Sequence, residues 1–352
     1  MDKLINFPIP RVFRNYPALL KEGEAVVPET ETSFTEDPIL CKVPLPLRAV
    51  FFPLGFAFEI ITNSQAVLDA ANESWGLAKQ CDSSPALQLR MGVTASSSRN
   101  CPPAPVVRGQ QHLLSIVADA HNQAVCDLKT GFAFAWLTED ALWDRGYARY
   151  HFIEAIALVL ISTFYATPIH AACVSRHGRG ILLCGDSGAG KSTLAYACAR
   201  SGWTFTSDDS SYIKHHAREL RVVGNSHQLR FRPSAKNLFP EIRDRGITPR
   251  AEGKPSIEVP TAELPGIVTA DETLVHHIVF LNRVATAHAE LRSLPKEAAQ
   301  QYFQQYLQLP GKIQERQSEA LKSISTADVY ELRYQDLQQA IDCLDLLAGQ
   351  PR

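Results

Sequence analysis

One run in this chain has the residue types and order of a phosphate cradle: Gly185, Asp186, Ser187, Gly188, Ala189, Gly190, Lys191, Ser192, Thr193. It fits G-x-x-x-x-G-K-[ST], with Gly185, Gly190, Lys191 and Ser192 in the required places. Glycines let the backbone curl so that successive N–H groups point inward at phosphate oxygens. A helix starting just after the loop adds its partial positive charge. In such a loop the lysine reaches the β- and γ-phosphates and the serine hydroxyl ligates Mg²⁺. The expected ligands are therefore ATP and Mg²⁺, with residues 185–193 as the nucleotide-binding set.

A second run bears acids. Trp203 to Ser207 reads as a strand, and it ends in Asp208 and Asp209. Adjacent carboxylates can divide the work of a phosphoryl transfer. One holds the Mg²⁺ shell, and the other accepts a proton from an attacking hydroxyl. The same Asp-Asp-Ser-Ser string also suits a turn or a cap, and on these residues alone both readings stand.

The loop and the acids fall into a longer register. His170-Ala-Ala-Cys-Val, then Gly185 to Thr193, then Gly202-Trp-Thr-Phe-Thr-Ser-Asp-Asp209 together resemble the HPr kinase/phosphorylase superfamily. Lys191 lies 21 residues after His170 and 18 before Asp209. The resemblance implies a P-loop kinase domain akin to phosphoenolpyruvate carboxykinase that phosphorylates protein serines. It implies that Lys191 binds phosphate, Ser192 ligates Mg²⁺, Asp209 is the catalytic base and His170 an active-site histidine. Asp208 would assist the metal or fix Asp209.

The likeness spans roughly residues 165–235. True HPr kinases place an acid in a Glu-x-Arg-Gly motif after the next hairpin. Here the comparable stretch, Leu229-Arg-Phe-Arg-Pro233, has none, and no Pro-x-Arg-Pro-Gly-Arg-Asn segment is present. Phosphorolysis of a phosphoserine product is therefore not expected. The chain is more similar to a looser set of HPr-kinase-like proteins, some of which phosphorylate a peptide. Their Gly-Lys pair before a short strand is matched by Gly253 and Lys254, so Lys254, Arg230 and Arg232 are further candidates for phosphate contact. The family's self-assembly makes a homo-oligomer a further expectation.

Stepping outward along the chain, Ile181 to Cys184 is a short apolar run, as expected of a buried strand entering the loop. Thr193 to Arg200 holds good helix formers, and Gly202 sits where a helix would end. A hairpin is expected from 219–223 and 228–232, strands at 275–281 and 289–294, and helices at 296–309 and 335–347. Before these, Asp144 to Tyr165 reads as one long helix leading into the α/β region. Upstream lie a strand at 56–62, a helix capped by Asn63-Ser64, a strand at 87–91, and three antiparallel strands at 113–120, 123–128 and 132–137. The expected fold class is α/β: an α+β domain over 1–145, serving acceptor binding, and a P-loop kinase domain over 146–352. Eight of the 22 prolines fall between Pro8 and Pro53, so the opening reads as an irregular arm.

Composition narrows the partners. Lys and Arg total 35 against 37 Asp and Glu, a net charge of -2, which offers no basic field for nucleic acid or an anionic membrane. The most apolar run, Ala155 to Phe164, is far short of the ~20 residues needed to span a bilayer. Met1 to Pro8 lacks the pattern of a secretory leader. The eight cysteines form no C-x-x-C pair, so reduced thiols in the cytoplasm are expected. The leading reading is a kinase acting on a peptide or protein serine. A nucleotide-dependent ATPase or switch and a small-metabolite kinase are the alternatives.

Overall fold

The computed structural model describes residues 43–96, 100–247, 255–307 and 312–349. Residues 1–42 of the proline-rich arm and Lys254 lie outside them; the arm's last stretch is not irregular, since it holds a strand at Leu47–Phe51. The chain divides between Ile161 and Ser162 into two units, each with α-helices and β-sheet, so the molecule is mixed α/β. The division falls later than the expected 145/146 boundary. The reason is local: a π-helical turn over Arg149–Ile153 and the start of the following helix are bonded to the first unit. Arg149 pairs with Glu73 and Glu154, and Ser74 Oγ donates to Glu154 Oε1 at 2.7 Å.

In the first unit seven strands form one sheet. They are β1 (Leu47–Phe51), β2 (Phe58–Thr62), β3 (Leu87–Thr94), β4 (Val106–Gln110), β5 (Leu113–Val117), β6 (Gln123–Asp127) and β7 (Phe132–Thr138). Their spatial order is β1-β2-β3-β7-β6-β5-β4, with β2, β3 and β7 parallel and the rest antiparallel. Helix α1 (Gln65–Trp75) follows β2, and Ser64 is its N-cap residue. The unit ends in the short helices α2 (Glu139–Trp143) and α3 (Arg145–Ala148), the π turn, and α4 (Glu154–Phe164), in which the division falls. The expected long helix is thus interrupted.

The second unit holds the glycine-rich loop. Its strands are β8 (Ala166–Ile169), β9 (Ala171–Arg176), β10 (Arg179–Cys184), β11 (Thr204–Ser207), β12 (Ser211–Lys214), β13 (Arg221–Gly224), β14 (Gln228–Phe231), β15 (Ile257–Pro260), β16 (Val268–Thr269), β17 (Glu272–Arg283), β18 (Glu290–Leu294) and β19 (Asp328–Tyr334). Its helices are α5 (Lys191–Arg200), α6 (Lys296–Gln304), α7 (Lys312–Leu321) and α8 (Leu337–Gly349). The large sheet runs β16-β11-β9-β10-β17-β13-β12-β8, with β19 parallel to β17 and β18 beside β19. β10 is buried on both faces, which explains its unbroken apolar sequence. Ile181 and Leu183 pack with Leu194 of α5 and Leu344 of α8. Leu182 and Cys184 pack with Phe303 of α6 and Ile324.

The expected hairpin is a correction. β13 pairs with β12 and β17, whereas β14 pairs with β15 in a separate two-stranded sheet. Both segments carry the alternation of a half-buried strand, so pattern alone joined them. The partners that separate them come from far along the chain. Among the described residues no helix is long and apolar enough to cross a membrane. Cys126, Cys173, Cys184 and Cys198 are buried free thiols, and burial pushes Cys126 and Cys173 up to about 12.

Candidate active site

β10 ends at Cys184, the loop turns over 185–190, and α5 begins at Lys191. Gly185, Gly188 and Gly190 have φ of +147°, +98° and +96°. At 188 and 190 the backbone is in the left-handed region, where a side chain would be strained. Gly190 is the N-cap residue of α5 and offers no capping side chain. Among the described residues the N–H groups of Gly188, Gly190, Lys191 and Ser192 have no hydrogen-bond acceptor. Asp186, Ser187 and Gly188 are exposed at the loop's crest, Ala189 closes a turn to Asp186 O at 3.1 Å, and Thr193 follows in the first turn of α5. These unpaired donors at a helix start fit a phosphate group.

Lys191 is turned in beneath the loop and only 5% exposed. Its Nζ donates to Gly185 O at 2.8 Å and Asp186 O at 3.3 Å, and lies 2.9 Å from His170 Nε2. Burial pushes its ammonium below the ordinary lysine range, against the pull of the Asp209 and Asp186 charges. His170 sits between β8 and β9, 8% exposed. A protonated lysine only donates, so Nε2 accepts and the imidazole proton belongs on Nδ1. Nδ1 is 3.4 Å from Asp209 Oδ1. The structure therefore links Lys191, His170 and Asp209 in one contact chain.

The two aspartates differ in setting. The Asp209 side chain is 54% exposed. Asp208 is buried, and its Oδ2 accepts the Arg230 N–H at 2.6 Å. Burial pushes the Asp208 carboxyl up to about 6, and the Asp209 charge adds to this. Ser192 Oγ donates to the Asp208 carbonyl at 3.1 Å, tying the start of α5 to the end of β11. Among the described residues no group of three or more His, Cys, Asp or Glu converges as a metal site. The hydroxyl of Ser192 and the carboxylate of Asp208 are hard oxygen donors. They suit Mg²⁺, which takes one or two protein ligands and completes its shell with phosphate oxygens and water.

Three side chains that the sequence reading passed over touch the loop. Tyr302 hydroxyl accepts from Gly185 N at 3.3 Å and donates to Gly185 O at 3.2 Å. Tyr306 packs its ring 6.2 Å from His170 and 5.2 Å from Tyr302. Tyr334 hydroxyl donates to Ala189 O at 3.3 Å. Tyr302 lies in the last turn of α6 and Tyr306 in the turn just after it, where the helix stops short of the expected 309; nothing in their spacing says which strand they meet. Of the basic candidates, Arg230 is turned to Glu258 (3.2 Å) and Gln228 rather than to the loop, while Arg232 is near enough to depress Lys191.

No protein-family model matches the chain, and no curated protein matches it. Among solved structures it is similar to the Hpr(Ser) kinase/phosphatase from Coxiella burnetii, at 14% identity and a TM-score of 0.29. That match covers 51% of this chain and 93% of the other.

Proposed function

We propose that this chain is an ATP- and Mg²⁺-dependent phosphotransferase with an HPr-kinase-like second unit, and that its acceptor is a serine hydroxyl of a peptide or protein. The contact chain from Lys191 through His170 to Asp209 carries this reading. It sets a base beside the loop whose free N–H groups suit a phosphate.

In this reading the N–H groups of Gly188, Gly190, Lys191 and Ser192 bind the phosphates, and Lys191 leaves the Gly185 and Asp186 carbonyls to take phosphate oxygens. Ser192 and Asp208 would hold Mg²⁺, which would supply neutralising charge to the transferred group. His170, whose Nδ1 lies 3.4 Å from Asp209 Oδ1, positions that carboxylate. Asp209 takes the proton of the serine hydroxyl as the new O–P bond forms and the bond to the ADP oxygen breaks. The exposure of the Asp209 carboxylate supports a bulky acceptor, since an enclosed base suits a small metabolite better.

Asp209→Asn keeps the shape and removes the base. It is expected to bind ATP nearly as the parent does and to lose about 10²-fold or more in single-turnover transfer to serine peptides. Transfer from γ-labelled ATP, run beside an ATP titration, checks this. Near-parental transfer at saturating ATP and Mg²⁺ would remove Asp209 as the base. Release of phosphate with no labelled acceptor would favour an ATPase switch.

A further inference from the structure

The turn after β12, the second half of α7 and the 3-10 turn after it border a half-open cavity of about 420 Å³. It lies at the far end of the β8–β12 ladder from His170 and Asp209. Ser211 pairs with Ile169 at the site end, and Lys214 pairs with Ala166 at the cavity end. Three steps of ~3.3 Å set the two ends roughly 10 Å apart. The cavity is therefore separate from the glycine-rich loop.

Its charge is one-sided. Arg218, Arg316, Lys322 and His216 line it, with Glu319 as the acid. Glu319 is paired with Lys322. That leaves two guanidinium groups, from two different elements, with no carboxylate partner among the described residues. Arg218 has no hydrogen-bond or ion-pair partner there at all. Arg316 is held in place, its Nη1 3.5 Å from Thr163 O and its Cζ 5.8 Å from the Phe164 ring centroid.

The neighbouring groups that would oppose an anion are already occupied. The 3-10 turn over Lys322–Thr326 points carbonyls toward its end. Ser325 O takes the Lys296 ammonium at 2.7 Å, and Lys322 O and Ser323 O take the Ser325 and Thr326 hydroxyls. His215 is fixed between Phe164 O and the Thr167 hydroxyl, at 3.1 and 3.0 Å, which anchors the turn that carries Arg218. His216 has a left-handed backbone, φ +59°, which reverses the chain at the rim.

We infer that this cavity is a second anion site, taking a small phosphate-bearing ligand between Arg218 and Arg316. Planar guanidinium forks match the oxygens of a phosphate in pairs, and the volume suits a compact ligand rather than a chain. This does not depend on the nucleotide reading of the loop.

The test titrates pyrophosphate into the full chain, into Lys191→Ala and into Lys191→Ala combined with Arg218→Glu, by calorimetry. Lys191→Ala removes the loop as a competing phosphate site. Binding is expected to persist in that variant and to weaken about tenfold or more when Arg218→Glu is added, as for loss of a charge-assisted contact. Arg218→Lys should retain part of it. Arg218 is exposed and unpaired, so thermal melting should stay unchanged, and it serves as the folding control. Loss of all binding in Lys191→Ala alone would overturn the site, as would indifference to Arg218→Glu. Succinate binding as tightly as pyrophosphate would overturn the phosphate class. Failure of the loop reading looks different: Lys191→Ala would then change neither ATP nor pyrophosphate binding, while Arg218→Glu still would.

Discussion

Asp208 and Asp209 are neighbours in sequence and opposites in setting. Asp209 is open to solvent, while Asp208 is buried against the Arg230 N–H. A carboxyl pushed from 3.8 up to about 6 in the folded state holds its proton more tightly there than in the unfolded chain. Its stabilising contribution is complete below about pH 4 and is lost as pH rises through 6. Above that window the charged, buried form is a cost. Asp208→Asn keeps an oxygen for Arg230 and removes the charge. Without nucleotide or divalent metal it is expected to gain stability over the parent between pH 4 and 7, by ~2 kcal/mol. Urea denaturation at both pH values checks the sign; a variant less stable than the parent at pH 7 would mean that the Asp208 carboxylate is stabilised by its surroundings. Transfer activity should fall in the same variant and recover in part with added Mg²⁺.

At the scale of elements, β10 must lie close to β17 for the loop to sit where it does. Gly180 is where this matters. A Cβ there would stand 2.4 Å from Thr273 Cγ2 and 2.5 Å from Leu274 O, and backbone cannot step aside as a side-chain tip can. The register between the strands also shifts between Gly180 and Ile181. Gly180→Ala is expected to destabilise by ~2 kcal/mol, the scale of overpacking in a core. Gly246→Ala, with open space around its Cβ position, should change stability by less than ~0.5 kcal/mol. Comparing the two by thermal melting separates a packing requirement from a general preference for glycine. The tyrosines matter here too, since α6 and β19 reach the loop through Tyr302 and Tyr334 rather than through charged groups.

At the scale of the whole molecule, the candidate site lies within one of the two units. The glycine-rich loop, both aspartates, His170 and the second cavity all fall in residues 162–349. A ligand that binds only the native state stabilises it by mass action, ~2.7 kcal/mol at a hundredfold excess over Kd. ATP with Mg²⁺ is expected to raise the melting transition of the unit that holds the loop, and Lys191→Ala is expected to abolish that rise. Calorimetry with and without nucleotide checks it; an undiminished rise in Lys191→Ala would place the nucleotide elsewhere.

The sequence by itself determined the loop, the strand before it and the helix after it, because glycine conformation, a short apolar run and helix formers act over neighbouring residues. The family resemblance suggested His170, Lys191 and Asp209 as one group, and alternation marked most strands of the first unit. The sequence did not decide which strands pair. β13 and β14 look like a hairpin until β12, β17 and β15 supply better partners from a distance. Nor could residue type and spacing alone show that Asp208 is buried and Asp209 exposed, since that difference is set by β14, whose Arg230 N–H meets Asp208. Tyr302, Tyr306, Tyr334 and the Arg218–Arg316 cavity were invisible for the same reason: each depends on contacts between segments far apart in the chain, and only the packed sheet with its helices brings those segments together.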